Sequence, residues 1–166
     1  MSGAEIVMIL FENQLYLEFP AKRDYIDFVS NKVVSSINTI AQEVHSQNIT
    51  DELTMSQDLN IFGFGMNLSI DEALKNAIVH GNKSDPRKKV ALSYYINSEK
   101  LEIIVRDEGI GFDHKNYKSL AEVDAEAGRG LLLIGNFMDE IIFNDPGNEI
   151  KMIKYLGKSK TAREDF

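Results

Sequence analysis

From Val90 the chain alternates apolar and non-core positions (Val90, Leu92, Tyr94, Ile96), turns through Asn97 to Lys100, and alternates again at Leu101, Ile103 and Val105. Period-two patterning of this kind puts one row of side chains on each face, so the segment predicts a β-hairpin with one buried face. A sheet with one apolar face has to be covered. The cover is legible upstream. Ile26, Val29, Val33, Ile37, Ile40 and Val44 recur at steps of three and four and predict a helix from about Lys22 to about His45. Leu59, Phe62, Met66, Ile70, Ala73 and Ala77 predict a second, from near Ser56 to Gly81 or Asn82, with Pro86 beyond its end. Gly63 and Gly65 interrupt its middle turns. These helices and hairpins together imply an α/β fold: a two-layer α/β sandwich with a mostly antiparallel, mixed sheet covered by helices on one face.

The remaining segments fit that plan. Ile6 to Phe11 and Leu15 to Phe19 read as strands around a turn at Glu12 to Gln14, and Pro20 marks a break. Asn48 to Thr54 reads as a loop. Asp113 to Gly128 reads as a long polar loop, with a short helix around Leu120. Leu131 to Met138 reads as a helix, and Ile141 to Phe143 and Ile150 to Leu156 as two last strands joined by Asp145, Pro146 and Gly147. The expected organisation is an extension or extra strand over 1–14, one domain over 15–156, and a polar tail over 157–166 that frays.

A chain of 166 residues fits one domain and can bury a core without staples. It has no cysteine, which removes disulfides and thiolate metal sites and fits a cytoplasmic location. The run Ile6 to Phe11 lacks the flanks of a signal peptide and the length of a membrane span. A net charge of -8 argues against nucleic acid as a partner, because neutralising a phosphate backbone needs a basic face. It leaves room for one bound nucleotide, which needs only a local set of donors.

Three places carry chemistry. In the second helix, Glu72 and Asn76 lie four residues apart and therefore stack on one face, away from the apolar stripe. A carboxamide oxygen there can ligate Mg²⁺ beside phosphate oxygens, and a carboxylate one turn away can accept a proton. As an isolated pair, they would more often be solvated surface. Asp71 and Lys75, also four apart, read as an ion pair, and His80 reads as a capping or packing residue. The second place is Arg106-Asp107-Glu108-Gly109-Ile110-Gly111-Phe112-Asp113, at a strand end. Its glycines let the backbone approach a ligand, and Asp107 can accept a hydrogen bond from an exocyclic amine such as adenine N6. The third is Gly128-Arg129-Gly130-Leu131, read as a glycine turn directly before a helix, where free N–H groups face phosphate. Taken singly, the last two are ordinary turns or a plain helix start.

In this order and spacing the three places resemble the GHKL ATPase domain, the Bergerat ATP-binding fold shared by gyrase-type, chaperone, mismatch-repair and histidine-kinase proteins. Glu72 to Asn82 is similar to that family's N box, Arg106 to Asp113 to its first Gly box, and Gly128 to Ile141 to its second. Met138-Asp139-Glu140-Ile141, and the strand Leu15 to Pro20 followed by a long helix, resemble the anti-sigma factor serine kinases. The resemblance implies Glu72 as catalytic base, Asn76 as Mg²⁺ ligand and Asp107 as reader of adenine. Gly109 and Gly111 would shape the adenine pocket, Gly128, Arg129, Gly130 and Leu131 would face the phosphates, and Asp113 to Ala127 would be a lid over ATP. Asn148 stands where the family often has a Thr beside the adenine, and it too can donate and accept. Ser30 and Asn31 stand where many members carry a partner-contacting Arg.

The implied activity is transfer of the ATP γ-phosphate to a serine or threonine of a STAS-type anti-sigma factor antagonist. In such proteins the same surface can instead hold a sigma factor, which makes a partner switch, and dimers are usual. Two other readings stand beside it. One is a binding module in which ATP sets the conformation and no chemistry follows. The other is a detached histidine-kinase-type catalytic domain, disfavoured because His45 lacks the flanking pattern of a phosphoacceptor.

Overall fold

A computed structural model describes residues 5–11, 13–47, 52–116 and 125–156. The strands are β1 (Val7–Phe11), β2 (Gln14–Pro20), β3 (Lys89–Ile96), β4 (Lys100–Arg106), β5 (Glu140–Phe143) and β6 (Glu149–Tyr155). They form one sheet in the order β1-β2-β3-β4-β6-β5. Among the described residues every pairing is antiparallel, where the sequence reading allowed a mixed sheet. Three α-helices among the described residues, α1 (Tyr25–Gln47), α2 (Glu52–Lys75) and α3 (Ala125–Phe137), make the second layer. Among the described residues no helix is long and apolar enough to cross a membrane.

Alternation along each strand fills the space between the layers. Leu15, Leu17 and Phe19 of β2, Val90, Leu92, Tyr94 and Ile96 of β3, and Leu101, Ile103 and Val105 of β4 are all buried. They meet Val29, Val33 and Ile37 of α1, Ile70 and Leu74 of α2, and Ile134 of α3 in one core. Burial of such side chains supplies the main stabilising term, on the order of 1.5–3 kcal/mol for each large one. The Tyr94 hydroxyl is satisfied by Ser36 Oγ at 2.6 Å. On the opposite sheet face, charges pair across strands, Lys89 with Glu18, Arg106 with Glu149 and Lys151 with Glu102, and within β4 Lys100 also pairs with Glu102. At the sheet edge, Ile6, Val7, Met8 and Ile9 are exposed.

The helix boundaries differ from the sequence reading in instructive ways. α1 starts at Tyr25 because Lys22 and Arg23 are used in turns that lead in from Pro20. α2 starts at Glu52, not near Ser56, so residues 52–54 are helix, and 48–51 lie outside the described residues. α2 is the middle helix, flanked by α1 and α3. Burial at Met66, Ile70, Ala73, Leu74, Ala77 and Ile78 therefore spreads over more than one stripe. Gly65 lies in this helix because the Phe137 ring of α3 occupies the place of a side chain. Gly65 thus marks a helix crossing, while Gly63 faces open space, and neither breaks the helix.

α3 also starts earlier than expected, at Ala125, so Gly128, Arg129 and Gly130 are helical and not a turn preceding the helix. Glycine disfavours helix by about 1 kcal/mol, which is why the segment reads as a turn. Contact overrides that propensity here. A Cβ on Gly130 would lie 2.5 Å from Glu72 Oε2, so glycine lets α3 sit this close to α2 without displacing the Glu72 carboxylate. Of the long loop, His114–Asn116 form a short 3₁₀ turn, while residues 117–124, with the expected helix around Leu120, lie outside the described residues. The tail 157–166 does too.

Lys75 pairs with Glu72 at 3.4 Å and not with Asp71. Asp71 turns toward Ser30 of α1, and its Oδ1 is buried without a hydrogen-bond partner among the described residues. Burial pushes the Asp71 carboxyl above the usual range, opposed by a hydrogen bond from Ser30 and assisted by nearby Asp27 and Glu72. The native state then holds the Asp71 proton more tightly than the unfolded chain does. The contribution of Asp71 is therefore most favourable in acid, and it is lost as pH rises through the raised value. Asp71→Asn, which removes the charge and keeps the shape, should raise the urea midpoint at pH 7 and lose that advantage near pH 4. A lower midpoint for the variant at pH 7 would show that the charged carboxylate is stabilising after all.

Candidate functional site

α2 does not stop at Lys75. It continues as a π-helical segment, Asn76–Gly81, in which the Asn82 N–H donates to the Ala77 carbonyl at 2.8 Å. Such segments are rare and often lie at functional sites. Asn82 then closes the helix. It is fully buried, its Nδ2 donates to the Lys89 carbonyl at 2.9 Å, and its Oδ1 accepts from the Glu108 N–H at 2.8 Å. One amide thereby ties the end of α2 to the start of β3 and to the loop after β4.

That loop carries Asp107. Its Oδ1 accepts from the Gly109 N–H at 2.7 Å, and its backbone N–H donates to the Asn148 carbonyl at 2.9 Å. The carboxylate lies against the α-carbon of Gly81, where a Cβ would overlap it, and a Cβ on Gly109 would overlap the Gly81 carbonyl. Gly111 (φ +80°) and Gly147 (φ +79°) adopt a backbone conformation that side chains disfavour. They press two loops together: a Cβ on Gly111 would strike the Pro146 carbonyl, and one on Gly147 the Phe112 carbonyl. Asn144 organises the second loop, its Oδ1 accepting from the N–H groups of Gly147, Asn148 and Glu149 at 3.0–3.1 Å. Its Nδ2 donates to Asn148 Oδ1 at 2.7 Å, and Asn148 Nδ2 donates to the Gly109 carbonyl at 3.4 Å.

Between α2, α3 and these two loops lies a cavity of about 260 Å³. Asn76, Asp107, Gly111, Leu131 and Asn148 line it, as do the apolar groups Ala73, Ala77, Val105, Phe112, Phe143 and Ile150. Gly109 stands behind Asp107. Glu72 is not on the wall. It lies one turn along α2 from Asn76, and Gly130 covers both, 2.5 Å from Glu72 Oε2 and 3.8 Å from Asn76 Nδ2 when measured from the position of a Cβ. Gly128 is buried in the same helix and Arg129 is exposed. His80, expected from sequence to cap or pack, lines the cavity, and Lys83, at φ +56°, does as well. Asn82 and Asn144 were not singled out as site residues. The turn-rich Asn144-Asp145-Pro146-Gly147 was the available signal for the second, and nothing local marks the first as more than a helix stop.

A mostly apolar-walled cavity with the Asp107 carboxylate on its wall suits a heteroaromatic base that carries an amine. Over residues 32–154 the chain matches the family described as the histidine kinase-like ATPase domain. An anti-sigma F factor of Oceanobacillus iheyensis is 35% identical over 102 residues, covering 56% of this chain and 69% of that protein. A serine-protein kinase RsbW of Bacillus cereus strain Q1 is 32% identical over 128 residues, covering 68% and 79%. The chain belongs to the GHKL ATPases, in their anti-sigma factor kinase branch. An anti-sigma F factor of Geobacillus kaustophilus is 27% identical over 157 residues, 89% of this chain and 96% of that protein, so the likeness to this GHKL branch runs nearly end to end.

Burial pushes the Asp107 carboxyl up to about 6, against the pull of the Gly109 N–H and of Lys88. The ionised form is the better acceptor for an amine and prevails above that value. Adenosine affinity should therefore be full above about pH 7 and fall below pH 6 as protonation competes, by at most about tenfold per pH unit. Asp107→Asn should bind more weakly and show a flat profile over the same range. Calorimetry with adenosine, which lacks titrating phosphates, checks this, and parallel profiles for the two proteins would remove Asp107 from the contact.

Proposed function

We propose that this chain is an ATP-dependent protein serine/threonine kinase of the anti-sigma type, acting in the cytoplasm. Its substrate is a serine or threonine of a STAS-type anti-sigma factor antagonist. The same protein, as a homodimer, holds a sigma factor in the alternative state of a partner switch. The observation that carries the reading is the arrangement along α2. Asn76 and Asp107 line one cavity, and Glu72 lies one turn along α2 from Asn76, about 6 Å along the axis. Purine, phosphates and acceptor hydroxyl then have protein groups in the order the reaction needs. Relatives carrying the names anti-sigma F factor and serine-protein kinase support it.

Each residue has a task in this reading. Asp107 accepts a hydrogen bond from the adenine amine, with Gly109 and Gly111 allowing close approach of the backbone, and Asn148 holds the loop opposite. Leu131 closes the wall, and Gly128, Arg129 and Gly130 face the phosphate end. Among the described residues no group of three or more His, Cys, Asp or Glu converges. A neutral carboxamide beside one carboxylate fits a Mg²⁺ ion held chiefly by phosphate oxygens, with Asn76 as its protein ligand. When bound, Mg²⁺ neutralises charge on the phosphates. Glu72 takes the proton from the acceptor hydroxyl as its oxygen bonds to the γ-phosphorus and the bond to the β-phosphate oxygen breaks, which leaves ADP and a phosphorylated side chain.

Two experiments test the reading. Asp107 should make ATP and ADP much better ligands than GTP, whose purine presents a carbonyl where adenine presents an amine. Displacement of a labelled ATP analogue by GTP as effectively as by ATP would exclude it. Glu72→Gln should keep ATP and partner binding and lose phosphorylation by about two to four orders of magnitude. If the unaltered protein, given ATP, Mg²⁺ and a captured partner, yields no phosphoserine or phosphothreonine, the binding-module reading replaces the kinase.

A further inference from the structure

Phe112 and Phe143, both on the cavity wall, meet edge to face with ring centroids 5.2 Å apart and planes at 88°. They come from different parts of the sheet. Phe112 follows Gly111, and Phe143 ends β5, a four-residue strand at the sheet edge that pairs only with β6. The Phe143 ring packs against the core, and His114, which is not on the cavity wall, adds a contact to it from outside. Its imidazole stacks on Phe143 with centroids 5.5 Å apart and planes at 28°, and it meets Phe112 edge-on at 6.4 Å.

The same imidazole reaches across the two loops. Its Nε2 lies 3.3 Å from the Asp145 carbonyl oxygen, so the tautomer protonated there donates to the turn between β5 and β6. This adds to the backbone contacts of Gly111 with Pro146 and of Gly147 with Phe112. His114 thus stands behind the aromatic corner and touches both of its rings and the turn beside it.

We propose that His114 is a positioning residue for the purine base. It braces the Phe143 ring so that the corner made with Phe112 keeps the opening a flat base requires. The ring stack, and not the hydrogen bond to Asp145, carries the effect, because the stack bears directly on a wall residue. This rests on the reading of the cavity as a nucleotide site. The brace acts on the base, so it affects adenosine and ADP alike and is indifferent to the phosphates.

The test uses the full chain and calorimetric affinities for adenosine and for ADP, with thermal unfolding of each variant recorded in parallel. His114→Ala should weaken both ligands by the same factor, about threefold to tenfold, in line with the loss of one aromatic contact. His114→Phe keeps a ring and loses the hydrogen bond, and should restore affinity. His114→Gln can still donate to the Asp145 carbonyl and lacks the ring, and should not. Should the Ala variant be poorly folded, the Phe and Gln variants are compared at a temperature where both are folded. Unchanged affinity in His114→Ala overturns the proposal, and so does recovery in Gln without recovery in Phe. Failure of the unaltered protein to bind either adenosine or ADP would instead overturn the nucleotide-site reading itself.

Discussion

The side chain of Asn82 joins the two halves of the site. Its donor and acceptor are both used, on the Lys89 carbonyl and the Glu108 N–H, in a fully buried position. A buried amide with both ends paired is rigid, because breaking either bond leaves a desolvated polar group at a cost of about 1–3 kcal/mol. α2 brings Glu72 and Asn76, and the β4 loop brings Asp107. Without a fixed link between them, the separation of the two groups would be set only by non-directional apolar packing. The left-handed residues Lys83 and Ser84 that follow show how sharply the chain leaves the helix once Asn82 has closed it.

Glycine does the complementary work of allowing backbones to touch. Gly81, Gly109, Gly111, Gly130 and Gly147 each occupy a place where a Cβ would overlap a neighbouring group. Three of those neighbours are backbone carbonyls, which cannot move aside cheaply. The cavity is therefore shaped by main chain on one side and by Phe112, Phe143 and small helix residues on the other. Shape of this kind is preorganised, since main-chain walls have no rotamers to reset when a ligand enters. The Asp107 carboxylate on the cavity wall is held partly out of water, which raises its proton affinity and makes it a stronger partner for an amine.

The catalytic end is less open than the base end. Glu72 is covered by Gly130 and paired with Lys75, and its side chain is only 14% exposed. Its position one turn from Asn76 follows from helix geometry, yet its access depends on how closely α3 lies over α2. The binding and transfer functions of the proposed kinase thus rest on different contacts. The purine end depends on loops locked to each other, and the phosphate end on a helix crossing.

Much of this was legible in the chain itself. Period two and period 3.6 are local, and they marked β2, β3, β4 and the two long helices, because each element buries one face against the same core. The spacing of Glu72 and Asn76, and Asp107 with its two glycines at a strand end, were likewise readable, since helix and turn geometry are local. Tertiary contact decided the rest. Gly130 sits in helix where it packs against Glu72 of α2, and α2 itself buries more than one stripe because it lies between two helices. Lys75 went to Glu72 because Asp71 faces α1. Asn82 and His114 took their roles from residues 7 to 31 positions away, a meeting that no pattern along the sequence encodes, whereas Asn144 bonds within its own turn.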